Sequence, residues 1–274
     1  MSDTLPYAEV IGDPIAHSKS PAIHNFWLQK LGIEAEYRKT HVKPEELAAY
    51  FLSRRADPDW LGCNVTIPHK VAVMDYVTDP GKVGDIIGAM NTIACETGGP
   101  LIGTNTDAGG FLAPLQRAGF KGNSVCIIGA GGAARAILYA LSQIGVTDLT
   151  IMVRDAVKGQ DLLDRAGLKG AVISMTDPLP PADLLVNSSP LGMTGKPPLE
   201  IDLAPLPQNS VVYDIVYAPL DTPLLLAARE RGLATIDGLE MLIGQAALAF
   251  DIFFDAEAPR EYDAELRALL MADA

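Results

Sequence analysis

Short apolar runs alternate with amphipathic stretches along this chain, and that alternation predicts an α/β protein. Tyr7-Ala8-Glu9-Val10-Ile11-Gly12 reads as a first strand that ends in Asp13-Pro14 turn chemistry. From Pro21 to Leu31, the residues Ile23, Phe26, Trp27 and Leu31 recur at helical spacing, and Gly32 closes that helix as a carboxy-terminal cap. Glu36 to His41 reads as a second strand, and Pro44 opens a helix through Phe51 to Arg54. Leu61 to Ile67 is a third strand, ended by Pro68. Strands and helices in this order imply a largely parallel sheet with helices on its faces.

The second half repeats the pattern without repeating the sequence. A helix from Asp107 through Leu115 makes the crossover into a second domain. Ser124-Val125-Cys126-Ile127-Ile128 is almost wholly apolar, as a strand covered on both faces must be. The glycine-rich turn Gly129-Ala130-Gly131-Gly132-Ala133-Ala134 follows, then an amphipathic helix from Arg135 to Ile144. Further strands are expected at Leu149 to Val153, Leu184 to Asn187 and Val211 to Ile215, and the carboxy-terminal end reads as helices.

Bulk properties narrow the classes. The chain has 274 residues, enough for two domains with real cores, and 49% of them are hydrophobic, which excludes a disordered chain. No apolar run reaches the ~18 residues that a membrane span needs, and Met1 to Pro6 has neither a basic nor an apolar targeting segment, so a cytoplasmic protein is expected. Cys63, Cys95 and Cys126 lack metal-ligand spacing and read as apolar fillers in or beside strands. His17, His24, His41 and His69 form no metal-binding pattern, so no metal is expected. A net charge of −13 argues against a nucleic-acid partner. Anionic ligands would then need local cations, for which Lys19, Lys70, Arg135, Arg154 and Lys158 are candidates.

Two polar stretches carry the candidate chemistry. Gly62-Cys63-Asn64-Val65-Thr66-Ile67-Pro68-His69 leads to Lys70; Gly88-Ala89-Met90-Asn91-Thr92 and Gly103-Thr104-Asn105-Thr106 lead to Asp107. Lys70 follows a strand and a proline, the position at which open α/β sheets bind ligands, although a solvated lysine has the same surroundings. Asp107 reads equally as a helix cap. The glycine turn follows an apolar strand and opens a helix, the context of a dinucleotide site. There Gly129 permits the tight turn, Gly131 the approach of the pyrophosphate and Ala134 close helix–strand packing. Cofactor choice should lie after the next strand, where Arg154 would hold a 2′-phosphate and Asp155 a ribose hydroxyl, unless Asp155 merely caps a helix or Arg154 is merely solvated.

With these motifs in order, the chain resembles the shikimate dehydrogenase family from its first strand to its final helices. The resemblance is carried by Gly12-Asp13-Pro14-Ile15, Ser18-Lys19-Ser20-Pro21, the two polar stretches and the glycine turn. It continues through Asn187, Asp214, Tyr217, Pro219, Thr222, Gly238, Met241, Leu242 and Gln245. It implies a mixed α/β substrate domain of residues 1–107 plus 239–274, a doubly wound Rossmann-like nucleotide domain of residues 108–238, and a central cleft. The implied reaction is NADP-dependent reduction of 3-dehydroshikimate to shikimate, on the route to chorismate and the aromatic amino acids. Ser18, Ser20 and Tyr217 would hold the substrate carboxylate, and Asn64, Thr66, Asn91, Asp107 and Gln245 its ring and hydroxyls. Lys70 would be the general acid/base with Asp107 as its partner. Gly129, Ala130, Gly131, Gly132, Ala133, Arg154, Asp155, Lys158, Ser189, Ile215 and Gly238 would line the cofactor, and the enzyme would work as a monomer or homodimer.

Two departures bear on specificity. Where the family usually carries Asn-Arg-Thr and a further arginine, this chain has Val153-Arg154-Asp155 and Lys158, which leaves NAD as a rival cofactor. Phe253 and Phe254 stand where a tryptophan is frequent, a packing exchange. Quinate dehydrogenase is the neighbouring activity. A non-catalytic nucleotide-dependent regulator is the reading from another class, which the retained Lys70 and Asp107 oppose.

Overall fold

The computed structural model describes residues 4–95 and 99–272, so the first three residues of the amino-terminal segment, where a targeting signal would start, lie outside it. The chain divides into two compact units: Met1–Thr106 with Gln245–Ala274 (unit 1), and Asp107–Gly244 (unit 2).

Among the described residues, unit 1 carries a five-stranded sheet in the order β2-β1-β3-β4-β5. The strands are β1 (Tyr7–Gly12), β2 (Glu36–His41), β3 (Trp60–Val65), β4 (Thr92–Cys95) and β5 (Leu101–Thr104). The first three are parallel, as strand–helix alternation requires, but β4 runs antiparallel to β3 and β5 antiparallel to β4. The sheet is therefore mixed rather than largely parallel, because a short connection returns the chain directly from β4 to β5.

Helix α1 (Ser20–Leu31) ends at Gly32, whose φ of 64° lies in the left-handed region and whose N–H bonds back to Gln29 and Leu28. Its buried stripe is Ser20, Ile23, His24, Trp27 and Leu28, while Leu31 is 41% exposed. A single 3₁₀ turn, Pro44–Glu46, precedes α2 (Leu47–Arg55). The short α3 (Val83–Ile86) is held by Asp79, whose carboxylate accepts from the Val83 and Gly84 N–H groups. One face of the sheet packs Tyr7, Ile11, Leu47, Phe51, Trp60 and Val65; the other packs Ala8, Val10, Tyr37, Ala249 and Phe253.

In unit 2 the described strands form a parallel six-stranded sheet of order β11-β10-β9-β6-β7-β8. They are β6 (Ser124–Ile128), β7 (Asp148–Val153), β8 (Ala171–Ser174), β9 (Leu184–Asn187), β10 (Val211–Asp214) and β11 (Ala234–Ile236). The helices are α4 (Asp107–Arg117), α5 (Gly132–Gln143), α6 (Ala156–Ala166) and α7 (Pro223–Glu230). The order reverses at β6, from which β7 and β9 lead to opposite edges, and such a switch point is where doubly wound sheets bind ligands. Helix α8 (Gly238–Phe254) carries the chain back to unit 1, which ends with α9 (Asp263–Ala272).

Candidate active site

Lys70 lies in a loop fixed along its length. Thr66 N–H donates to the Ile11 carbonyl, Asp13 N–H to that of Ile67, and Met90 N–H to that of Lys70, at 2.8–3.0 Å. His69 is 1% exposed, and its Nε2 meets the Val42 carbonyl at 2.6 Å. These bonds fix the backbone that carries Lys70, whose side chain is half-buried. Nothing in the sequence marks His69 for this bracing role except its place beside Lys70.

The loop leads into a lattice of buried amides and hydroxyls. Asn64 on β3 donates from Nδ2 to the Asn91 carbonyl (3.2 Å) and to Thr92 Oγ1 (2.9 Å), and its Oδ1 accepts from the Tyr37 hydroxyl (2.6 Å). Asn91 Oδ1 accepts from Thr106 N–H (2.7 Å) and Thr92 Oγ1 (3.0 Å), while its Nδ2 donates to Thr106 Oγ1 (3.0 Å) and Gln245 Oε1 (3.4 Å). Gln245 lies on α8, so the last helices supply a member of this group. Three expected residues, Asn64, Asn91 and Gln245, thus meet in one network with Thr92 and Thr106, and Thr66 follows β3 by one residue. Tyr37, which the sequence presents only as a strand residue, completes it.

Ser18 and Ser20 flank the amino terminus of α1, which has no side-chain cap, and Ser18 Oγ accepts a long bond from Ser20 N–H at 3.4 Å. Two hydroxyls at an open helix terminus suit a carboxylate. Between them, Lys19 donates from Nζ to the Leu270 carbonyl on α9 at 2.8 Å.

In unit 2 the nucleotide loop is made from backbone. Gly129 has φ of +105°, and a Cβ there would stand 2.9 Å from Ser188 Oγ and 3.1 Å from Ser189 N. Gly131 caps α5 without a side-chain acceptor, and a Cβ at Gly131 or Gly132 would meet nothing within 4 Å. The helix therefore presents uncapped N–H groups into open space, a donor set that fits a pyrophosphate, with Ala130 and Ala133 alongside. Ala134 is fully buried, as close packing of helix on strand demands. The helix begins at Gly132, three residues before the expected Arg135, because the glycines themselves take up its first turn.

Arg154, just past the end of β7, and Lys158, in the first turn of α6, are exposed. Asp155 caps α6: its carboxylate accepts from Val157 N–H (3.1 Å) and Lys158 N–H (3.4 Å). Below them, Asn187 Nδ2 donates to Asp214 Oδ1 (2.9 Å), and its Oδ1 accepts from both the N–H (3.1 Å) and the hydroxyl (2.7 Å) of Ser189. Thr222 donates to Asp214 Oδ2 (2.7 Å), and burial raises the Asp214 pKa above its usual value against these hydrogen bonds. Gly238 abuts Ile215, whose carbonyl oxygen would lie 2.3 Å from any added Cβ. Tyr217 is half-buried, and burial raises its phenol pKa. Among the described residues no group of three or more His, Cys, Asp or Glu could hold a metal ion, and no helix is long and apolar enough to cross a membrane.

Comparison with known proteins identifies the family. Residues 10–93 match the model of the shikimate dehydrogenase substrate binding domain, and residues 238–265 that of the shikimate 5′-dehydrogenase C-terminal domain. The shikimate dehydrogenase (NADP(+)) of Sphingopyxis alaskensis is 59% identical over 97% of both chains. Among solved structures, shikimate 5-dehydrogenase from Thermus thermophilus in complex with NADP(H) and shikimate is 32% identical, with a TM-score of 0.85, covering 97% of this chain and 99% of that one. The ligand-free 5-ketofructose reductase of Gluconobacter superposes with a TM-score of 0.89 at 30% identity, over 98% of this chain and all of the other. Fold, motifs and near-full-length identity agree: the chain belongs to the shikimate dehydrogenase family.

Proposed function

We propose that this protein catalyses the reversible NADP-dependent reduction of 3-dehydroshikimate to shikimate, as a cytoplasmic biosynthetic enzyme acting as a monomer or homodimer. The observation that carries the reading is the buried lattice of Asn64, Asn91, Thr106 and Gln245, adjoining the loop that fixes Lys70. A polyhydroxylated ring needs several oriented donors and acceptors, and this lattice supplies them. Residues 1–107 with 239–274 act as the substrate domain and residues 108–238 as the nucleotide domain.

Ser18 and Ser20, with Tyr217, bind the substrate carboxylate; Asn64, Thr66, Asn91, Asp107 and Gln245 bind the ring. The glycine turn would hold NADPH, which when bound would supply the hydride for the ketone carbon. Charge that builds on the ketone oxygen is met by the Lys70 ammonium, which gives up its proton to the new alkoxide. In the reverse direction neutral Lys70 takes the hydroxyl proton, and Asp107 holds the lysine in register. Gly129, Ala130, Gly131, Gly132 and Ala133 cradle the pyrophosphate, and Ser189, Ile215 and Gly238 border the rest of the cofactor. Arg154 and Lys158 hold the 2′-phosphate. Asp155 caps its own helix through Oδ1, so Arg154 and Lys158 outweigh its charge at the 2′-phosphate.

The test is nicotinamide absorbance with purified protein, with shikimate and quinate each crossed against NADP⁺ and NAD⁺. Turnover is expected with shikimate and NADP⁺. Efficient quinate oxidation with NAD⁺ would overturn the substrate and cofactor assignments. Silence in all four mixtures would overturn the enzyme reading.

A further inference from the structure

Asn64 is a member of the polar lattice whose donor–acceptor polarity is set completely by its neighbours. The atom facing the Asn91 carbonyl must be the amide nitrogen, because that carbonyl can only accept. Its second hydrogen goes to Thr92 Oγ1, so both Nδ2 donors are spent inside the protein. The oxygen therefore faces the Tyr37 hydroxyl, and Tyr37 must donate. One lone pair of Oδ1 is left, so Asn64 can offer a ligand an acceptor and nothing else.

Tyr37 is held for this task from below. It is 2% exposed, and its ring stacks on His24 with centroids 3.9 Å apart and planes within 4°. Phe253 packs beside both rings, with centroids 6.2 Å from His24 and 6.3 Å from Tyr37. Burial raises the Tyr37 pKa well above its usual value, which keeps the hydroxyl a donor across the working pH range.

We infer that Tyr37 is a positioning residue for substrate recognition: its hydroxyl fixes Asn64 as an acceptor-only contact for a ring hydroxyl of the substrate. The inference rests on the placement of Asn64 at the substrate proposed above. It assigns a specificity role to a buried side chain outside the ligand contacts proposed above. A substrate with a hydroxyl at that ring position is favoured, and one with an acceptor only, such as a keto oxygen, is rejected, because two acceptors would face each other.

The experiment is a double-mutant cycle of Tyr37→Phe and Asn64→Ala, reading KM for shikimate, KM for NADP⁺ and kcat. Tyr37→Phe keeps the ring stack and removes one hydroxyl. It should raise the shikimate KM about tenfold, the worth of one oriented hydrogen bond, with kcat and the NADP⁺ KM nearly unchanged. Its effect should vanish in the Asn64→Ala background. A normal shikimate KM in Tyr37→Phe beside a raised one in Asn64→Ala would overturn the role of Tyr37 alone. A normal KM in Asn64→Ala would remove Asn64 from the substrate and take the inference with it. Equal losses in all three parameters, or effects that add in the double variant, would reduce Tyr37 to a structural residue.

Discussion

The polar lattice of unit 1 and the nucleotide loop of unit 2 are built in opposite ways. In unit 1, Asn64, Asn91, Thr92, Thr106 and Gln245 bind one another through side chains, so the shape of the site depends on which side chains are present. In unit 2, Gly129, Gly131 and Gly132 contribute only backbone, and the loop depends on what is missing. The first arrangement suits a small substrate told apart by its hydroxyls; the second suits a pyrophosphate common to many cofactors. Unit 1 should therefore be sensitive to deletions and unit 2 to additions.

Lys70→Ala is the strongest test of the first half of that statement. It removes the proposed proton donor while the loop's backbone bonds from Thr66, His69 and Met90 remain. Turnover should fall by roughly 10²–10⁴-fold, the usual worth of a positioned acid/base. Steady-state kinetics on the folded variant measures it, and near-normal turnover would sink the assignment. Gly129→Ala tests the second half, by adding one methyl group at a φ of +105° against Ser188 and Ser189. Strain of about 1–3 kcal/mol at such a position should lower kcat/KM for NADP⁺ by roughly 10- to 100-fold. Shikimate binding measured alone should be unaffected, and an unimpaired Gly129→Ala enzyme would erase the contrast between the units.

His24 asks whether the packing below the lattice obeys the same logic as the lattice itself. It is fully buried among Trp27, Tyr37, Phe250 and Phe253, and neither ring nitrogen has a hydrogen-bond partner among the described residues. Burial lowers its pKa to about 3 from the usual 6.5. Above pH 6.5 the imidazole is neutral whether folded or unfolded. Between 6.5 and 3 only the unfolded chain takes the proton, so stability falls as pH falls, by about 1.4 kcal/mol per unit. His24→Phe abolishes this component. Chemical denaturation should find the variant about 2 kcal/mol more stable than wild type at about pH 5, relative to the difference at about pH 7. Parallel pH profiles would mean that His24 is not the group responsible.

The same particulars show which parts of the molecule are legible in its sequence. β6 and β9 stand out because a short apolar run between turn residues can satisfy its backbone and bury its side chains best as an inner strand of a sheet. β4 and β5 do not, since four residues each of Thr92–Cys95 and Leu101–Thr104 lie inside stretches that stand out for their polar chemistry. The short β8 and β11 lie at the edges of their sheet, where pairing rather than pattern makes the strand. Asn64, Asn91 and Gln245 are singled out by type and by resemblance, whereas Tyr37 looks like any strand aromatic. Glu9 is the clearest failure of pattern. It sits in β1 as a polar residue would on a solvated face, yet it is fully buried, paired with Arg54 at 2.6 Å and accepting from Tyr50 at 2.8 Å and from Thr40. Its partners lie on β2 and α2, 31 to 45 residues away, so nothing local announces them.

Asp155 is the finest test of the contrast, because it puts a side chain at the edge of a site otherwise made of backbone and cations. Its two accepted N–H bonds tie it to the first turn of α6, and Lys158 Nζ stands 4.0 Å from its other oxygen. Toward the proposed 2′-phosphate this cap acts through its charge, which opposes the phosphate and is screened by solvent at 52% exposure. Asp155→Thr keeps an acceptor at the cap and removes the charge. The expected result is a rise of roughly two- to fivefold in kcat/KM for NADP⁺, less than about 1 kcal/mol, with NAD⁺ kinetics unchanged. If instead the change came mainly as a tenfold or larger loss with NAD⁺, Asp155 would be a ribose ligand. Unit 2 would then read its cofactor, like unit 1 its substrate, through a side chain that deletion destroys.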